Sequence, residues 1–486
     1  MSEMQKKLSN TFYSILSLPS TAMGFALSIQ IAALSWLMRT KYNLDLHEIG
    51  FVWAAGPLAG IIGQPIVGLI SDKVWFWNGR RRPFILIGGT IAALMLFALP
   101  NIDRISGFFG VSNIIVVAVF VALTLDLAIN VSFNPTRAII ADVTPEGVPR
   151  TKGYTWMQTI SGSFGVLAYA LGAIFGNYFL IYFGVFLVLA FSLIPMFFIE
   201  EPRELISEVE KDSQSSTYSF EEFISILEPL YGFILLAIHF IISSFVKLSP
   251  DVNQYIIIWL LIVSLFFVLK TVVKKEDDKN DKFGIVSYKK VLAANSFSWI
   301  GVQTMFVYMI GYIEQKLNPS SPDETGQILS ISFLILSAVG AILPAFVLEP
   351  ITEKIGRVKT HLLCLAVMSL AYFGIVLMGT SSLIVWILMA VAGVGWAAIV
   401  SLPFAIMSEK VNKKRMGLFM GVFNLSVVLP QLFVSLVLGT FVQNAGNKNI
   451  IFIISAISLA VSALLWLMVH DSKVKTVSEK SFAKGH

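Results

Sequence analysis

Apolar stretches of about 20 residues recur from one end of this chain to the other, separated by short polar loops. A helix rises 1.5 Å per residue and the hydrocarbon core of a bilayer is about 30 Å thick, so each stretch matches one crossing. Lipid offers no partner to a backbone N–H or C=O, which leaves the helix as the way to pair every group within its own segment. The stretches fall at 14–37, 50–71, 84–100, 113–140, 155–176 and 178–199, then at 293–313, 327–349, 361–379, 382–407, 416–441 and 450–469. Two shorter ones, 230–246 and 254–272, sit between these groups of six. The expected fold class is therefore an all-α polytopic membrane protein of fourteen spans. An even count places both termini on one side.

Composition agrees. The 486 residues are 56% hydrophobic and 13% charged, about half the charged share of a soluble domain, with a mean hydropathy of +0.78. That excludes a cytosolic enzyme, a nucleic-acid binder and a disordered chain. Cys364 is the only cysteine, so disulfides and cysteine metal sites are out. The histidines at 47, 239, 361, 470 and 486 show no paired metal spacing. No glycine-rich loop ends in the Lys-Ser/Thr pair that holds phosphates, and no nucleophile–base set stands out. Neither an enzyme nor a bound cofactor is expected.

Basic residues give the orientation. One face receives Arg39, Lys41, Arg104, Lys247, Lys316 and Lys448; Arg137 lies within a span, leaving 28 of the 35 lysines and arginines for the other face. The positive-inside rule makes that second face cytoplasmic, with both termini there. No cleavable leader is expected, because the first span is too long for a signal segment. The domain plan is a bundle over 1–200, linkers and an inserted hairpin over 201–290, a second bundle over 291–470 and a polar tail over 471–486. The inserted pair, joined by the turn Lys247–Asn253, reads as peripheral or as a regulatory hairpin. His239, its one central ionisable group, receives no proton-transfer role.

The two groups of six share their punctuation. After the second span come Gly68, Ser71, Asp72 and Lys73, then Gly79, Arg80, Arg81 and Arg82; after its counterpart come Glu353, Lys354, Gly356, Arg357 and Lys359. An acid, a base, then Gly-Arg recurs at equivalent places, where glycine permits close backbone approach and the acid can pair with arginine or cap a helix. Repeated six-helix halves point to a transporter that rocks about a midplane site. Asp72, Gly79, Arg80, Arg81, Glu353, Gly356 and Arg357 are expected to control that motion.

This loop pattern resembles that of the major facilitator superfamily. The longer string from Gly56 and Pro57 through Gly60, Gln64, Pro65 and Gly68 to Pro83, Phe84 and Ile85 resembles its sucrose-transporter branch, the glycoside-pentoside-hexuronide and plant sucrose transporters with their animal relatives. Leu125, Asp126, Ala128, Asn130, Arg137 and Ala138 are similar to that family's fourth helix. Ser401, Pro403, Phe404 and Ala405 resemble its tenth, and Gly417, Gly421, Asn424, Pro430 and Gln431 its eleventh. The resemblance implies two six-helix bundles and proton-coupled uptake of a sucrose- or maltose-like glycoside, with the proton gradient as driving force. A uniporter or exporter of another small polar solute is the alternative. Two departures stand out: plant members carry acids at the outer end of the seventh helix, where this chain has only Glu314, and the inserted pair is absent from the twelve-helix plan.

Asp126 is the most informative residue. It lies mid-run between Ile114 and Ala141, where an ionised carboxylate costs about 2.5–3.5 kcal/mol on insertion scales. Such an acid can exchange a proton with water as access alternates, and can accept sugar hydroxyls; the structural alternative is an acid held by a fixed partner. On an ideal helix Asn130 is about 40° round from Asp126, and Arg137 about 20° round but about 16 Å along the axis, too far for direct pairing. Asn130 can meet sugar or join helices. Arg137 can meet substrate, close an inner gate through Asp142 or another acid, or snorkel to the interface. Gln30, Gln64, Gln158, Trp299, Gln303, Asn424 and Gln431 also lie at intramembrane depth, a lining that suits hydroxyls and sugar C–H faces. Gln30, Gln158, Gln303 and Asn424, with Trp299 as platform, are the preferred sugar contacts; Gln64 and Gln431 adjoin prolines and can serve freed backbone groups instead. The partners expected are a sugar, protons and membrane lipid, with no nucleic acid. The chain is expected to work as a monomer in a bacterial cytoplasmic (inner) membrane.

Overall fold

The computed structural model describes residues 3–61, 63, 74–145, 147–202, 220–246, 248–275, 284–411 and 416–470. Among these the chain is helical throughout, with an isolated Phe76–Gly79 bridge and no strand. Six helices come first: α1 (Asn10–Thr40), α2 (Leu46–Trp53), α3 (Arg82–Ala98), α4 (Ile114–Val143), α5 (Val148–Phe175) and α6 (Asn177–Leu193). A pair follows, α7 (Tyr231–Phe245) and α8 (Pro250–Val273). Then come α9 (Ile285–Tyr312), α10 (Pro322–Leu343), α11 (Arg357–Met378), α12 (Ser382–Lys410), α13 (Met416–Phe433) and α14 (Ile450–Trp466). Each overlaps one of the fourteen apolar stretches, α2 only over 50–53. Among the described residues, ten helical segments are long and apolar enough to cross a membrane, and 228–243 and 450–466 are shorter apolar helices. The chain is an integral membrane protein. Residues 62 and 64–73 of and after the second stretch, with Gln64 and Asp72, lie outside the described residues, as do Lys247 and the cluster Lys413, Lys414 and Arg415.

Helix starts follow from local chemistry. Ser9, Asn113, Ser249, Ser321 and Ser381 each accept a backbone N–H from the first turn that follows, satisfying a donor that has no partner inside the helix. Within the first group α1 packs on α5 and α6, and α3 on α4 and α6. Within the second, α9 packs on α13 and α14, and α11 on α12 and α14. The pair α7–α8 leans on α9 and α13, with Phe233 edge-on to Phe433 at 6.1 Å between centroids. Glu228 fixes its base, taking Lys270 at 2.7 Å and Lys289 of α9 at 3.1 Å. Its outer surface exposes Ile241, Trp259, Ile262 and Phe266, a face suited to lipid.

The two groups are joined at the end of the molecule away from the chain termini. Ser35 Oγ donates to the Val307 carbonyl at 2.9 Å, and Trp36 Nε1 to that of Pro322 at 2.7 Å. Arg39 pairs with Glu314 at 2.9 Å, and the Leu46 amide donates to Gln443 Oε1 at 3.0 Å. Ser330 Oγ donates to Asn177 Oδ1 at 3.0 Å. Lys448 caps the carbonyls of Val442, Gln443 and Ala445; burial, with the nearby Arg39 charge, holds its ammonium below the usual lysine range. At the opposite end two ion pairs each stay within one group: Arg81–Asp142 in the first and Arg357–Glu409 in the second.

Candidate functional site

Asp126 sits near the middle of α4 and is 3% exposed. Gln30 of α1, itself buried, donates Nε2 to Asp126 Oδ2 at 2.8 Å. The backbone at Gly56 comes close enough that a Cβ there would stand 3.5 Å from both carboxylate oxygens. Among the described residues no cation forms an ion pair with this acid. A carboxylate served by a neutral amide can gain or lose a proton without breaking an ion pair, which suits it to carrying one.

The other expected residues of the first group are placed less centrally. Asn130 is half-buried on the Asp126 side of α4 and donates Nδ2 to the Asp126 carbonyl at 2.8 Å. Arg137 stands with its guanidinium 4.1 Å from the Phe133 ring centroid, a cation–π contact, while Asp142 goes to Arg81. Of the roles open to Arg137, the inner gate through Asp142 loses its acid here, because Asp142 is taken by Arg81 from the loop before α3. Gln158 is exposed on α5, among the exposed hydroxyls of Thr151, Thr155, Thr159 and Ser163.

In the second group Gln303 and Gln431 form one unit, Gln431 Nε2 donating to Gln303 Oε1 at 3.2 Å. The amide of Gln431 therefore has a side-chain partner besides any role beside Pro430. Gln303 precedes Val307 by four residues, about 40° round the helix, and so shares the face by which Val307 meets Ser35 of the first group. Trp299 and Trp396 meet edge-to-face at 6.3 Å, and Phe306 meets Trp396 at 5.4 Å. Both indoles are half-buried, as is Asn424. Sequence reasoning passed over Trp396, since an indole inside an apolar run has no spacing that separates a site residue from packing.

The Gly-Arg loops organise the end that carries the termini. Glu201, just beyond the sixth stretch, accepts the backbone N–H groups of Arg80 and Arg81 at 2.8 Å each and that of Arg82 at 2.7 Å, capping the start of α3. Glycine at 79 leaves room for this cap, since a Cβ would stand 2.5 Å from Glu201 Oε1 and 2.7 Å from Arg82 Cβ. Arg81, 7% exposed, pairs through Nε with Asp142 Oδ2 at 2.9 Å. Arg357 reaches Glu409 at the end of α12 in the same way, so the repeat read in the loops is also a repeat of contacts. Gly356 turns the chain between the helix Glu349–Ile355 and α11 with φ +91°, and Glu353 is exposed beside it. Glu201 was missed in the sequence; its signal was an acid placed directly after a span and before Pro202.

Comparison with known proteins extends these observations. The model of the Major Facilitator Superfamily matches residues 16–435. A sucrose transport protein of rice (Oryza sativa subsp. indica) is 24% identical over 476 residues, covering 88% of this chain and 87% of its own. A sucrose transport protein of Arabidopsis thaliana is 22% identical, covering 90% and 85%. A general alpha-glucoside permease of Schizosaccharomyces pombe is 29% identical over 174 residues, which is 32% of this chain and 31% of that protein. Among solved structures, the inward-open xylose transporter of E. coli superposes with a TM-score of 0.61 at 15% identity, covering 96% of this chain and 97% of its own. A peptide transporter of the POT family reaches 0.64 at 13% identity, covering 95% and 98%. With a matching family model over most of its length and the same helical fold as these transporters, the chain belongs to the major facilitator superfamily of membrane transporters and is not an enzyme.

Proposed function

We propose that this transporter carries a sucrose- or maltose-like glycoside into the cell together with protons, by alternating access and without a bound cofactor. The observation that carries the reading is Asp126, buried at mid-membrane and met by the neutral amide of Gln30. Protonation and release at this carboxyl couple the proton to the transport cycle. Gln30, Asn130 and the Gln303–Gln431 pair supply amides to sugar hydroxyls, while Trp299 covers an apolar sugar face. Gln158 and Asn424 complete the lining, and Arg137 joins it from the terminal end of α4. The named activities of the rice, Arabidopsis and fission-yeast relatives favour a glycoside.

The joined far end faces outside and the end that carries the termini faces the cytoplasm, an orientation the basic loops favour. The Gly-Arg loops and their ion pairs set the relative motion of the two bundles. All fourteen apolar stretches span, α7 and α8 as an inserted hairpin that travels with the second bundle. The protein works as a monomer. The matched relatives are plant and fungal, which removes the ground for restricting it to a bacterial membrane.

The test is a panel of radiolabelled sugars offered to proteoliposomes with and without an imposed inward proton gradient. Accumulation of an α-glucoside only with the gradient supports the reading. Uptake that ignores the gradient, or a panel with no sugar transported, removes it.

A further inference from the structure

Tyr308, near the far end of α9, is fully buried. Its hydroxyl donates to the carbonyl of Val434 at 3.0 Å and lies 3.4 Å from that of Ser435. These residues open Val434–Leu438, where the continuation of α13 winds as a π-helix and the ordinary i to i+4 ladder is interrupted. From the opposite group, the backbone at Gly50 of α2 comes to the same spot. A Cβ on Gly50 would stand 2.2 Å from the Ser435 carbonyl oxygen and 2.7 Å from the Tyr308 hydroxyl. At Gly439, just past the π-helix, a Cβ would stand 3.0 Å from that hydroxyl and 3.1 Å from His47 Cα.

Elements from both groups thus converge on one phenolic oxygen, inside the end where the groups are joined. We infer that Tyr308 is a positioning residue for closure of that end, its hydroxyl holding the π-helical turn in the shape onto which Gly50 docks. The chemistry is specific. A π-helical turn displaces carbonyls from their usual donors, and the Tyr308 O–H supplies one that survives burial. With the turn held, the Ser435 carbonyl presents a fixed surface that a glycine backbone can reach and a side chain cannot. Without it the turn can rewind toward α-helix, which rotates the residues beyond it and spoils the fit. The closed far end then becomes less populated while the site around Asp126 and Gln303 keeps its side chains.

The test uses a Cys364→Ser background carrying Ser35→Cys, a buried position that bonds across the joined end, reconstituted in nanodiscs. The rate of thiol labelling reports how often that end opens. Tyr308→Phe keeps the ring and removes the hydroxyl, and is expected to raise the rate roughly fivefold to 150-fold, the effect of leaving one buried carbonyl without its donor. Gly50→Ala leaves the hydroxyl intact and blocks docking, and is expected to raise it as well. Transport by Tyr308→Phe should lose maximal rate with little change in KM, a split that a general loss of fold does not produce. Parent-like labelling of Tyr308→Phe overturns the inference. Should that variant fail to fold, parent-like labelling of Gly50→Ala overturns it instead.

Discussion

The paired Gly-Arg loops make a prediction whose magnitude can be worked from exposure. Both groups join a loop arginine to an acid at the end of their fourth span, Arg81 to Asp142 and Arg357 to Glu409. The first pair is nearly dry, its side chains 9% and 10% exposed; the second is 43% and 38% exposed. Removing one partner of a buried pair strands the other charge at a cost of about 3–5 kcal/mol. An exposed pair contributes about 0–1 kcal/mol, because water solvates each charge alone. At about 2–4 °C per kcal/mol for a bundle of this size, Asp142→Asn should lower the apparent melting temperature by roughly 6–20 °C and Glu409→Gln by at most about 4 °C. Intrinsic tryptophan fluorescence of the detergent-solubilised protein gives both values. Raising the salt concentration should erase the Glu409→Gln difference and leave most of the Asp142→Asn one. Equal losses for the two variants, or a larger one for Glu409→Gln, would refute the reasoning from exposure.

Three further outcomes are expected. Glu201→Ala strips three backbone donors at the start of α3 of their acceptor, so hydrogen exchange at the Arg80, Arg81 and Arg82 amides should rise by tenfold or more, the equivalent of about 1–2 kcal/mol; unchanged exchange would remove Glu201 as the cap. Ser249→Cys in the Cys364→Ser background should react with an impermeant thiol reagent from outside the cell, whereas labelling only from the cytoplasmic side would return the count to twelve spans. Trp396→Ala should weaken equilibrium sugar binding by roughly tenfold while Trp396→Phe keeps most of it, since the aromatic face is what a sugar's C–H surface packs against; equal affinity in both would assign Trp396 to packing alone.

Much of the helical plan was legible because membrane insertion writes it in composition: α4 and α12 are apolar over nearly their whole length, and lipid permits no other way to pair the backbone. Asp126 was legible for the same reason, since a carboxyl in such a run is expensive enough to stand out. Its partner Gln30 was legible only as an amide at depth; that it lies 2.8 Å from Asp126 depends on how α1 crosses α4, which no spacing within α1 encodes. The same limit explains Asp142. Five residues beyond Arg137 it looked like that arginine's acid, yet the loop before α3 brings Arg81 closer. Glu201 and the Tyr308 node lay further out of reach, because both are contacts between segments more than a hundred residues apart. Long-range packing decides such pairs, and short motifs do not carry it.

The central claim is that Asp126 couples protons to sugar, and one measurement addresses it directly. Asp126→Asn keeps the size and polarity of the side chain but cannot release a proton at physiological pH. Proteoliposomes carrying this variant are loaded with unlabelled α-glucoside and assayed for exchange of labelled sugar, then assayed empty for accumulation under an inward proton gradient. The account predicts that exchange persists while gradient-driven accumulation is lost. Full accumulation by Asp126→Asn would contradict it.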